Sequence, residues 1–183
     1  MLRKAKDIEG DNLEIEWRYL SLEQINTKEA NGWRIWDQPS SYPMRSRWAF
    51  RGAEAARKQG NDAFERFHLN LLKARHVDRK ELTTIETIYE TAEASGLDLD
   101  RFKQDFEEAT IDQVGVEHQA GVEKHGVFGT PTLVFNEEHA GYLKLRPLPP
   151  DDELGETWKE VKALIYGRPE IGEIKRPVPK RDN

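Results

Sequence analysis

Gly126-Val127-Phe128-Gly129-Thr130-Pro131-Thr132-Leu133-Val134-Phe135 reads as a helix stop, a short loop and then a β-strand. Proline lacks a backbone N–H, so in sheets it stands at strand starts, edges and bulges. Opening a strand after Gly-Thr, Pro131 is a candidate for a cis peptide bond, which a tertiary amide allows at modest cost. That arrangement would turn the backbone of Thr130 toward a ligand instead of a ladder partner. Thr132 to Phe135 is an uninterrupted run that predicts a strand covered on both faces.

Working outward, Asn136-Glu137-Glu138-His139 reads as a hairpin turn and Ala140 to Arg146 as the returning strand, with Leu143 and Leu145 inward. Pro147, Pro149 and Pro150 stop it. Asp151 or Asp152 then caps a last helix with the stripe Leu154, Trp158, Val161 and Ile165, closed by Gly167. Ile171 to Asn183 reads as a surface tail. Toward the N-terminus, helical spacing predicts Asp112 to Lys124, a helix capped by Asp98 that carries Phe102 and Phe106, Thr84 to Ser95, and a helix with the stripe Phe64, Phe67, Leu71 and Ala74. Asn26 to Trp48 is broken by Asn31-Gly32, Pro39 and Pro43 and reads as a long loop pinned by Trp33, Trp36, Tyr42 and Trp48, rather than as a lid. Leu13 to Leu20 alternates apolar and charged residues and predicts a strand near a sheet edge. Leu2, Ala5 and Ile8, followed by Gly10, form a short first helix with no capping residue before it.

Composition narrows the functions. The chain has 183 residues, 34% of them charged, a net charge of −6 and no cysteine, with a mean hydropathy of −0.83. An acidic balance gives no electrostatic case for nucleic acid. No stretch reaches transmembrane length and no signal peptide is visible, so the expectation is a cytoplasmic protein without a membrane partner. Absence of cysteine removes disulfides, thiolate metal sites and cysteine nucleophiles from these residues together.

The order of these elements, with a proline at the head of the late strand, resembles the DsbA family of thioredoxin-like thiol-disulfide oxidoreductases. Leu13 to Leu22, Phe67 to His76, Gly96-Leu97-Asp98 with Phe102, and Gly126 to Thr132 each resemble family segments, in the family's order. The resemblance implies an α/β, thioredoxin-like fold, with residues 1–25 and 126–168 as an incomplete core, 26–125 as a helical insertion with its connecting loop, and 169–183 as a tail. It implies that Gly129, Thr130 and Pro131 form a cis-proline loop where an extended peptide or a small thiol substrate would lie. The family's first strand and its CxxC, or the serine of the related kappa-class glutathione transferases, have no counterpart in these residues. The uncapped first helix and the missing interior strand favour a chain that starts late, with the motif upstream of Met1, over one that is natively short. A self-paired homodimer would cover the unpaired edge. No cofactor is expected, glutathione being the ligand only under a transferase or isomerase reading. A peptide-binding module without enzymatic activity is the third reading.

Other candidates weigh less. His118 and His125 are seven apart, outside the i, i+4 ligand spacing, and His68 and His76 lack an acidic partner at a recognised spacing; all five histidines read as solvated or locally bonded. Arg45, Arg47 and Arg51 read as solvated charge rather than an anion patch. Glu107-Glu108 and Glu137-Glu138 read as solvated charge rather than an acid/base pair.

Overall fold

In the computed structural model, which describes residues 1–176, local signals set most helix ends. Helices α1 to α8 cover Leu2–Glu9, Leu22–Ile25, Arg47–Arg57, Asn61–His76, Ile85–Ala94, Leu99–Glu108, Asp112–His125 and Leu154–Ile165. Strands β1 (Thr132–Phe135) and β2 (His139–Tyr142) form an antiparallel pair. Gly10 closes α1 at a positive φ of 57°. The Asp98 carboxylate caps α6 by accepting from the Arg101 N–H at 3.1 Å, the expected use of an N-cap aspartate. No aspartate caps α8: the N-cap position is Glu153, without a side-chain bond. Of the expected tail, residues 171–176 have no regular structure and 177–183 lie outside the described residues.

The chain divides into two compact units, Met1–Arg18 with Ala120–Asn183, and Tyr19–Gln119. In the first unit the hairpin lays Phe135 against Trp158 and Tyr166 of the α8 segment, with ring centroids 5.8 and 5.9 Å apart. Glu9, at the end of α1, accepts from Trp158 Nε1 at 3.0 Å and from Lys162 Nζ at 2.8 Å. These bonds hold the Glu9 carboxyl below the usual carboxylate range, Lys162 contributing most.

Leu13 to Leu20 is not a strand. Its apolar residues, half-buried except for the buried Tyr19, alternate with exposed charged ones as expected, but no ladder is assigned to it. Alternation fixes which side chains turn inward, whereas a strand also needs a neighbour for its N–H and C=O groups, and the sheet among the described residues is the β1–β2 pair. That hairpin is also less covered than its apolar run suggested: Val134 is 37% exposed.

In the second unit α3 is the central packing element, and its helical stripe, Ala49, Gly52, Ala53 and Ala56, holds only small residues. Gly52, Ala53, Ala55 and Ala56 are all buried, and small residues let α4, α5 and α6 approach closely. A Cβ placed on Gly52 would lie 2.6 Å from Ile88 Cγ2 and 2.9 Å from Phe67 Cζ. Phe67, Phe102 and Phe106 complete the aromatic core. The long loop is pinned, not lid-like. Gln24 accepts from the Ile35 N–H and donates to the Trp33 C=O, Trp33 packs on Tyr42, and Trp36 packs on His118 and over Gly115.

Arg47 and Arg51 are not solvated either. Arg47 donates to the Pro39 C=O at 3.0 Å and Arg51 to the Glu107 C=O at 2.9 Å. Burial pulls the Arg47 guanidinium below its ordinary value, with Arg51 adding to it. The buried Glu117 carboxylate accepts from the Tyr19 N–H at 2.6 Å, from Arg57 at 2.8 Å and from Gln113 at 3.1 Å. Arg57 in turn lies over the rings of Tyr19 and Phe64. The next residue, His118, is buried as well, and its Nδ1 accepts from the Ser21 N–H at 3.2 Å.

Two outcomes follow for this unit. Gly52→Ala lowers its stability by about 1–3 kcal/mol in urea unfolding, since Ile88 and Phe67 must move; an unchanged midpoint contradicts the packing. Burial alone would raise the Glu117 carboxyl, but the bonds from Arg57, Tyr19 and Gln113 outweigh it and hold the carboxyl low. A depressed folded value makes this contribution complete above the unfolded carboxylate range and lost as pH falls through the folded value. Glu117→Gln therefore costs about 1–3 kcal/mol at neutral pH and flattens the acid limb of the stability curve. Parallel acid limbs would contradict it.

Candidate functional site

The loop is framed by how α7 stops. Gly126 takes a φ of +64°, the left-handed conformation that ends helices at glycine. There its N–H donates to the Val122 C=O, and the Val127 N–H donates to the Gly121 C=O, both at 3.1 Å. The last turn of α7 is tied to the hairpin turn by Lys124, which pairs with Glu137, and by His125, 3.6 Å from the same carboxylate. Lys124 holds the Glu137 carboxyl below its ordinary range, and Glu137 stays exposed, a surface charge paired across to the end of α7. Asn136 and Glu137 both have positive φ, 50° and 62°, and the Glu138 N–H donates back to the Phe135 C=O. This is the tight turn expected after β1.

Between these anchors the chain passes from buried to open. Val127 is half-buried, Phe128 is 64% exposed and Gly129 is buried. Phe128 packs on Tyr142 with centroids 5.0 Å apart, and a Cβ on Gly129 would lie 3.1 Å from the Tyr142 ring. A ring lies where a side chain at 129 would begin. Thr130 and Pro131 are exposed, and the peptide joining them is cis, as is Arg146–Pro147.

The hydrogen bonds single out one residue. Thr132 Oγ1 donates to the Gly129 C=O at 2.8 Å, and the Leu143 N–H donates to the Pro131 C=O at 3.0 Å. The carbonyls on either side of Thr130 are thus committed. Among the described residues, neither the N–H nor the C=O of Thr130 has a protein partner. An exposed donor and acceptor on one residue, beside an exposed ring, can pair with an extended chain. Within the 183 residues no cysteine is available as a nucleophile there, and no cluster of three or more His, Asp or Glu side chains among the described residues is placed to hold a metal.

Of the expected site residues, Gly129 lies under Tyr142 while Thr130 and Pro131 face out. Phe128 and Tyr142 were not singled out from the sequence. Phe128 could have been found as a large apolar residue in a loop with no periodic neighbours. Tyr142 could have been found by pairing the two strands in register, which places it opposite Thr132.

Comparison with known proteins agrees with this architecture. Residues 2–145 match the family model described as Thioredoxin. The ClpXP adapter protein SpxH of Bacillus subtilis (strain 168) is 30% identical over 125 residues, which is 67% of this chain and 40% of that protein. The chain thus spans less than half the length of the curated relative it matches. With the family match covering most of its residues, the chain belongs to the thioredoxin family, as a mixed helical protein with a small two-stranded sheet.

Removing the hydroxyl that holds Gly129 should loosen the loop. Thr132→Val lowers stability by about 1 kcal/mol and speeds amide exchange at residues 127–130. Unchanged exchange there would show that this bond does not order the loop.

Proposed function

We propose that this thioredoxin-family chain is a protein-binding module that takes an extended polypeptide segment at Gly129, Thr130 and Pro131 and carries out no thiol chemistry with its own residues. The observation that carries this reading is the Thr130 backbone, with both polar groups open beside the exposed Phe128 ring. An incoming segment would pair with Thr130 through its main chain and cover Phe128 with an apolar side chain. Main-chain pairing supplies affinity and the ring supplies selectivity. The name of the Bacillus relative, an adapter protein, supports a role in which binding another protein is itself the activity.

An oxidoreductase reading, which the DsbA resemblance suggests, needs a thiolate that attacks a disulfide. None of the 183 residues supplies one. Glutathione binding at the same loop is the transferase-type reading, and titration calorimetry with glutathione distinguishes it from a polypeptide site.

A panel of extended apolar-rich peptides, followed by backbone amide shifts, tests the proposal. Saturable binding should centre on residues 128–131, and Phe128→Ala should weaken it about tenfold or more, as loss of an aromatic anchor does. Shifts centred elsewhere, or full binding by the Phe128→Ala chain, would overturn it. The pure 183-residue protein should not accelerate insulin reduction by dithiothreitol; acceleration would contradict the absence of thiol chemistry.

A further inference from the structure

The hairpin has a second open edge, on the strand away from Thr130. The Leu143 N–H bonded to the Pro131 C=O makes 131 and 143 a hydrogen-bonded pair in the register Thr132↔Tyr142, Leu133↔Gly141. Antiparallel pairs alternate, so Gly141 and Leu143 turn their backbone groups toward β1. Ala140 and Tyr142 turn theirs outward, Lys144 follows the last bonded residue, Leu143, just past the end of β2, and no hydrogen bond from the backbone groups of these three to the rest of the described chain is present. The same residues carry the exposed side chains. From His139 to Arg146 burial alternates strictly, with Ala140, Tyr142, Lys144 and Arg146 exposed.

This row is two apolar residues followed by two cations. In a chain of net charge −6, neither Lys144 nor Arg146 makes an ion pair among the described residues. An incoming strand would place its side chains directly opposite this row, where opposite charges and apolar pairs stabilise a sheet. We propose that the outer edge of β2, together with residues 143–146 that follow it, docks an extended segment of a partner protein with alternate carboxylates facing Lys144 and Arg146 and alternate apolar side chains facing Tyr142 and Ala140. In the antiparallel sense the carboxylates come first in the partner's sequence. The two sites share the Tyr142 ring, which packs on Phe128, but this one uses the outward main chain of β2 and not that of Thr130, so neither reading requires the other.

The probe is a short synthetic peptide with glutamates at alternate positions of its first half, valines at alternate positions of its second half and threonines between. The same peptide with the two halves exchanged tests the parallel sense, and lysines in place of the glutamates give the charge control. Titrated into the full chain, one of the glutamate peptides should bind and slow amide exchange at Ala140, Tyr142 and Lys144, leaving the already bonded Gly141 and Leu143 unchanged. Binding should weaken with added salt and fall about tenfold or more in the double variant Lys144→Glu, Arg146→Glu, where two attractions become repulsions. It should persist in Lys28→Glu, and the lysine peptide should not bind. Cations on a strand edge can instead serve to keep other strands away; in that case neither glutamate peptide binds, or the double variant binds as well as the parent, and the proposal fails. Protection at Thr130 or Val134 in place of the β2 amides would also overturn it, while leaving the Thr130 reading standing.

Discussion

Backbone N–H and C=O groups must find partners in protein or water, and this constraint separates the closed from the open parts of the chain. In the helical unit several irregular segments find partners in side chains. The Tyr19 and Ser21 amides go to the Glu117 carboxylate and His118 Nδ1. The loop after α2 is laced to the side chains of Gln24 and Glu23. In the other unit the hairpin has two strands and therefore two edges, and Thr130 lies just before one of them with both groups free. A buried loop could not carry such groups without cost; exposed, they are available for binding.

The polar centre around Glu117 shows how the second unit tolerates buried charge. Burial pushes the Tyr19 phenol well up and the His118 imidazole down, both toward neutrality. Glu117 and Arg57 meet at 2.8 Å, Glu54 lies 3.8 Å from the same guanidinium, and Arg57 also rests against the Tyr19 and Phe64 rings. Every strong charge there has a geometric partner, which buried ion pairs require. This arrangement reads as structural.

Much of the fold was legible because it rests on local chemistry. Gly10, Asp98 and Gly126 mark helix ends by the conformations or bonds that only a few residue types offer. The hairpin followed from its turn residues. What failed depended on distant neighbours. Leu13 to Leu20 has a strand's alternation but no ladder partner among the described residues, and the stripe of α3 is built of Gly and Ala, too small to stand out as a core face. Arg47 and Arg51 are charged in sequence but bonded to carbonyls in the fold. For the site, Pro131 was visible as punctuation and Thr130 followed from it, whereas Phe128 and the open edge of β2 emerge only when the strands are set in register.

The central claim is that Thr130 contacts an extended partner segment. A photo-crosslinking side chain placed at position 130 of the full chain, with a second at the exposed Val77 as a control, addresses it directly. With the apolar-rich peptide panel, position 130 should give a saturable crosslink to the peptide backbone or its flanking side chains that unlabelled peptide competes away, and position 77 should give none. Equal, non-competable labelling at both positions would contradict the account.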